Sequence, residues 1–382
     1  MRVMLLLFVS IAVATAAPKP GDEGTPEFDK ATALIKQLGD ARFAAREAAA
    51  KQLVEMGGAA VPALLVGTKS SDEEIRTRST ALVPQARAAE WKKRADLYVA
   101  DKEGKEKHDL PKLEAWEKLT GTPDAGTRKL YAEMVRSSGE FLMEASGPKM
   151  KTVLGARCTA IRNRVRTDKG QIKADPGELA AVVFVDTLIA PSKGPGPRVQ
   201  SFQPALLGNP VWPDALDAAD TGPVLRKLLV QWFETTGVRD DLSAQQFAGL
   251  VRKKPFPEAA PALANLAKDK RFDVLTIRAV AIETLGRIGG MDARDALTGL
   301  IEDKTSLYGI GDGAVQLGDA ALAALIVMSG KKLSDYGLSV GTSVAYLTAN
   351  SDEGITVTLH GFQSSDDRKK GFQKWKDENA KK

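Results

Sequence analysis

The sequence predicts an all-α chain of stacked helical pairs, and three observations predict it. Arg46, Ala49, Leu53 and Gly57 form an R-x2-A-x3-L-x3-G pattern that returns at Arg278, Ala281, Leu285 and Gly289. Spacings of three and four place the small and apolar residues on one helical face, and the glycine supplies a left-handed stop. The spacing occurs again at Asp319, Leu322, Ile326 and Gly330, with aspartate in place of arginine. Second, Ala60-Val61-Pro62-Ala63-Leu64 is matched by Ala259-Ala260-Pro261-Ala262-Leu263, each placing a proline where a helix begins and a missing N–H is no loss. Third, 382 residues at 43% hydrophobic and 27% charged are ordinary globular usage, enough for a core without disulfides.

The elements follow in order. Residues 1–16 read as a cleavable export signal: one charge at Arg2, a short apolar run, then Ala14-Thr15-Ala16. Export to the periplasm or the extracellular space, with cleavage near Ala16, is the expectation. No later segment is judged long and apolar enough to span a bilayer. Residues 17–27 read as a flexible linker. Repeats are expected over 28–100, with a first stripe of Phe28, Ala31, Leu34, Ile35 and Leu38 ending at Gly39. Asp40 is the expected cap of the helix bearing Arg46, and Ser71 and Asp72 the caps of a stripe at Ile75, Leu82 and Ala86.

Residues 101–252 show no repeat period but read helical at 113–119, 125–145, 149–166, 178–189 and 225–233, with loops at 191–197 and 208–213. A second repeat block covers 253–330, where Phe256, Leu263 and Leu266 face a helix bearing Val274, Ile282, Leu285 and Ile288. Residues 331–382 read as a loop region and a basic helix, with a short alternating strand at 354–359. Helix pairs that cannot bury their own stripes must stack on neighbours, so the whole is expected to form an α-solenoid.

At these residues the chain resembles the HEAT-repeat family. Leu38-Gly39-Asp40 through Arg46-Glu47 to Met56-Gly57, followed by Pro62 and Asp72-Glu73-Glu74-Ile75-Arg76, looks like a repeat pair. Thr276-Ile277-Arg278-Ala279-Val280-Ala281 to Leu285-Gly286-Arg287-Ile288-Gly289 looks like another. The tail, from Leu317-Gly318-Asp319 through Asp335-Tyr336-Gly337-Leu338 to Lys374-Trp375-Lys376, is similar to exported bacterial HEAT-repeat proteins of unassigned role. The resemblance implies an armadillo-like solenoid that binds proteins. The chain departs from the pattern at Asp319 and in lacking a capping glycine after Ala86.

Reactive chemistry has little to stand on. One cysteine, Cys158, excludes an intrachain disulfide and a zinc–thiolate cluster, and His108 and His360 are too few for a multi-histidine metal site. Cys158 reads as a buried thiol, His108 as solvated within a charged run, and His360 as a turn residue beside Gly361. Gly309, Gly311 and Gly313 surround Asp312 in what reads as a loop, not a phosphate cradle. Carboxylate pairs Glu73-Glu74 and Asp366-Asp367 read as helix starts. No catalytic, cofactor-binding or metal-ligating residue is therefore expected.

Arg46 and Arg278 read as structural repeat residues that pair with Asp40 and Asp273, and Gly57 and Gly289 as structural stops. The net charge of +5 is too mild to imply nucleic acid, which is disfavoured as a partner. One window is strongly basic: between Lys149 and Lys173 eight cations face only Asp168, over an expected buried stripe of Val153, Cys158, Ile161 and Val165. Arg157, Arg162, Arg164 and Arg166 are the candidate partner-binding residues. The expected function is a non-enzymatic exported scaffold in the cell envelope. It would bind a protein partner, an acidic one suiting the strip, with an anionic polysaccharide or membrane surface as other occupants of the strip. The competing class is an enzyme or a bilin-lyase-like chaperone using a pocket in the helical array.

Overall fold

A computed structural model describes residues 24–167, 174–189, 204–235, 241–269, 275–309, 311–339, 343–346 and 355–379. The expected export signal, the loop at 191–197, Asp273, Val274 and Gly354 lie outside the described residues. The chain is mostly helical and divides into two compact units, 1–94 and 95–382.

In the first unit, α1 (Pro26–Gln37) starts at Thr25, whose hydroxyl accepts from the Phe28 amide at 3.2 Å, so the helix begins inside the expected linker. Helix α2 (Phe43–Met56), a 3-10 turn (Gly57–Ala60), α3 (Val61–Gly67) and α4 (Glu73–Ala100) follow, the last six residues of α4 belonging to the second unit. Helix α1 packs on α2 and α3. Ala31, Leu34, Leu38, Ala49, Leu53, Leu64 and Leu82 form the core between these helices. Residues 43–67 are apolar enough, by length and composition, to cross a membrane, contrary to the sequence expectation. They do not form one straight helix, because the backbone turns at Gly57.

That turn also corrects the expected left-handed stop. Gly57 has φ 60°, ψ −132° and Gly289 has φ 69°, ψ −163°. Both have positive φ, but ψ lies far from the left-handed helix, in territory essentially reserved for glycine. The missing glycine after Ala86 has a plain cause: α4 does not stop there. It runs 28 residues through Pro84, which deletes one donor from the helical ladder without ending it. Asp72 caps α4 as expected, accepting from the Ile75 amide at 3.0 Å.

The second unit continues with α5 (Leu113–Thr120), α6 (Ala125–Glu144), α7 (Met150–Thr167), α8 (Pro176–Thr187), α9 (Trp212–Asp217), α10 (Gly222–Thr235) and α11 (Asp241–Lys253). Helix α9 starts inside the expected 208–213 loop. Helix α8 is buried along 177–186 and lies against α6 and α10. Its approach to α6 needs Gly177, where a β-carbon would sit 2.5 Å from the Glu133 carbonyl oxygen. Trp116 stacks on Tyr131 and meets Phe184 edge-on, joining α5, α6 and α8.

Then come α12 (Ala260–Lys268), α13 (Leu275–Ile288), α14 (Gly290–Thr298), the hairpin β1 (Ser306–Tyr308) and β2 (Val315–Gln316), and α15 (Leu317–Met328). The glycine-rich stretch is thus the turn of a small antiparallel hairpin. Helix α13 packs on its sequence neighbours α12 and α14 and on the next-but-one helices α11 and α15, while α12 packs on α14. Strands β3 (Ser343–Tyr346) and β4 (Ile355–Thr358) pair antiparallel, Ser343 opposite Thr358, so the expected strand is present. Helix α16 (Ser365–Asn379) ends the described chain.

Leu53 and Leu285 are fully buried. Leu53→Ala and Leu285→Ala should each cost about 2–5 kcal/mol in urea unfolding, the sum of lost transfer energy and a residual cavity. Near-neutral values would mean that these stripes are not core.

Candidate functional site

The repeat arginines brace turns, Arg46 through the carbonyl of the expected Asp40 and Arg278 through a carbonyl and a carboxylate that the sequence did not point to. The Arg46 guanidinium donates to the carbonyls of Asp40 (2.8 Å) and Ala41 (3.2 Å), and pairs across to Glu74 of α4 at 3.3 Å. The Asp40 carboxylate does not cap α2. It accepts from the backbone and side chain of Arg42, which hold its carboxyl below the usual range. Arg76 repeats the bond of Arg46, donating to the carbonyl of Ser70, also six residues back. Arg278, 2% exposed, donates to the Ala267 carbonyl at 2.7 Å and to the Asp303 carboxylate at 2.9 Å. Asp303 follows α14, and the expected partner, Asp273, lies outside the described residues.

Asp319 is not an arginine substitute in this scheme. It sits at the third position of α15 and closes a capping box with Gln316. It is fully buried and takes a two-pronged bond from Arg368 of α16, at 2.9 and 3.1 Å. Burial pushes the Asp319 carboxyl above its usual range, against the opposing pull of Arg368 and the Gln316 amide.

The basic strip on α7 is partly neutralised from inside. Glu178, in the first turn of α8 and 3% exposed, accepts from Arg157 at 2.7 Å and from Arg164 at 2.5 Å. Arg157 also donates to the Ser137 carbonyl at 3.2 Å, where Ser138 (φ −146°, ψ 22°) breaks the helical geometry of α6. A kink releases a carbonyl from the ladder, and this guanidinium takes one such group. Arg157 and Arg164 are therefore tied to the fold. Arg162 is exposed and open to solvent. Arg166 is placed on α7 by its backbone, and its side chain lies outside the described residues. The buried stripe runs through Leu154, Cys158 and Ile161. Val153 is only half-buried, and the Val165 side chain lies outside the description.

The charged run after α4 is mostly exposed, but it is organised around Asp101 and His108, whose side chains are largely buried. Asp101 accepts from the amides of Lys105 (3.1 Å) and Glu106 (3.0 Å) and bonds His108 Nε2 at 3.0 Å. His108 is about nine-tenths buried, edge-on to Tyr98, whose ring lies under the Arg128 guanidinium. These residues line a polar cavity of about 540 Å³. Burial pushes the Tyr98 hydroxyl up to about 12, with Arg128 opposing and Glu117 adding to the rise. The bond to His108, followed by the loop amides, holds the Asp101 carboxyl at about 2.

A depressed carboxylate contributes above its unfolded value and loses that contribution as pH falls through the folded one. The Lys105 and Glu106 amide resonances should therefore hold their positions down to pH about 3 and shift with a midpoint near 2. A midpoint near 4 in an amide titration would mean that the loop does not depend on this carboxylate.

His360 Nδ1 meets the Ser339 carbonyl at 3.2 Å beside Gly361. Among the described residues, no group of three or more His, Cys, Asp or Glu side chains could hold a metal ion. Sequence reasoning named Arg368 only as a basic residue of the last helix and paired none of Glu178, Asp303 and Arg368 with its partner, since each lies well apart from that partner along the chain. No protein-family model matches this chain, and no curated protein matches it.

Proposed function

We propose that this chain is an exported, non-enzymatic HEAT-like solenoid that binds a protein partner in the cell envelope through its surface. The observation that carries this reading is the packing of α13 on both α11 and α15, with α12 and α14 beside it. Next-but-one contact between successive helices is how repeat stacks bury stripes that a single pair leaves open. The turn-bracing arginines Arg46, Arg76 and Arg278 support it, because a repeated unit reuses its brace.

The composition of residues 1–16 supports export. Amino-terminal sequencing of the protein purified from the envelope fraction should begin at Ala17, and an intact Met1 would remove the export reading. The binding reading is tested by affinity capture from envelope extract, with crosslinking, using wild type and Arg162→Gln at low and moderate salt. A stoichiometric protein partner is expected. Weaker capture by the variant would assign a share of the contact to the exposed part of α7, and capture of no protein at any salt would end the scaffold reading.

A further inference from the structure

Four of the basic residues of α16 face a concavity. Lys304, Arg368, Lys369, Lys370, Phe372 and Lys376 are among the residues lining a groove of about 640 Å³ beside Ile301 and Gln316. Five of its lining residues are cations, and Glu302 is its one lining carboxylate.

Three of the cations are already committed. Arg368 is held by Asp319 and the Ala314 carbonyl, Lys369 pairs with Asp366 at 3.2 Å, and Lys376 pairs with Glu302 at 2.5 Å. Lys304 and Lys370 are exposed and have no carboxylate partner among the described residues. The lining also carries apolar surface: Ile301 and Phe372 are half-buried, and Phe372 leans on Phe362 with ring centres 5.9 Å apart.

We propose that this groove binds an acidic segment of a partner protein, two carboxylates meeting Lys304 and Lys370 while an apolar side chain between them rests on Phe372 and Ile301. The inference rests on the partner-binding reading above and gives it a location and a chemistry. Two open lysines in a lining with apolar surface match a short acidic–apolar peptide. A polyanionic glycan needs a continuous track of open cations, which two lysines do not make. The strip on α7 is the poorer candidate, because Glu178 already takes two of its arginines.

The test is fluorescence anisotropy with a labelled Glu-Glu-Leu-Glu-Glu peptide and the full chain. The Lys304→Gln/Lys370→Gln double variant removes two exposed, unpaired charges, so its circular dichroism should match wild type. It should bind the peptide about tenfold more weakly, with most of the salt dependence gone, as expected when contact charges are removed. Arg162→Gln should bind like wild type. Equal binding by wild type and the double variant, equal binding of a Gln-Gln-Leu-Gln-Gln peptide, or tighter binding of a sulfated oligosaccharide of equal charge would each overturn the proposal. Partner capture that is unchanged in the double variant would remove this groove and leave the scaffold reading intact. Peptide binding without any captured partner would do the reverse.

Discussion

Asp319→Ala is expected to destabilise the protein by about 3–5 kcal/mol, because it strips the counter-charge from a largely buried guanidinium. The Arg368 side chain is 13% exposed and its partner 0% exposed, so little water can replace the lost carboxylate. The same change removes the capping bond to the Gln316 amide, which is 2.8 Å long. Burial opposes ionisation of Asp319, so the pair as a whole contributes less than its breakage costs. An Asp319→Leu/Arg368→Met double variant should therefore recover most of the loss. Urea unfolding of the single and double variants decides it, and a single-variant cost below about 1 kcal/mol would show that Arg368 finds water or another partner.

The second large effect separates two arginines that share one sequence pattern. Arg278→Ala should cost about 3–5 kcal/mol, since it leaves the Ala267 carbonyl without this donor and the Asp303 carboxylate without its cation, its bond from Thr305 remaining. Asp303 keeps a carboxyl held below the usual range by Thr305 and Arg278 against burial, so losing the arginine withdraws one of its supports. Arg46→Ala should cost about 0–1 kcal/mol, because its partner Glu74 is 48% exposed and solvent can take over. Thermal or urea denaturation of both variants checks the contrast. Similar losses at the two sites would mean that burial does not set their worth.

That contrast shows how far the sequence can be read. Spacing of three and four residues is a local property, and it located α2 and α13, their buried leucines and their terminal glycines. Which partner an arginine takes is not local. Asp303 lies 25 residues after Arg278, and Arg368 lies 49 after Asp319. Charge counting over 149–173 found the basic strip on α7 but stopped short of Glu178, which joins it only because α8 packs alongside. His108 was read as solvated because every neighbour in sequence is polar. The loop instead closes on the single Asp101 carboxylate, an arrangement that composition does not encode.

The position of α16 also sets an order of events in folding. Helices α11 to α15 mostly meet near neighbours along the chain, and such contacts close short loops at little entropic cost. Helix α16 is tied back to Asp319 across 49 residues and to Glu302 across 74. Its docking waits for α15 and the β1–β2 hairpin to exist, because they supply Asp319 and the Ala314 carbonyl. In pulse-labelled hydrogen exchange during refolding, amides of α13 should gain protection before those of α16. The lysine-lined groove, built from both ends of that closure, would then be a late product of folding and absent from any intermediate in which α16 is still undocked.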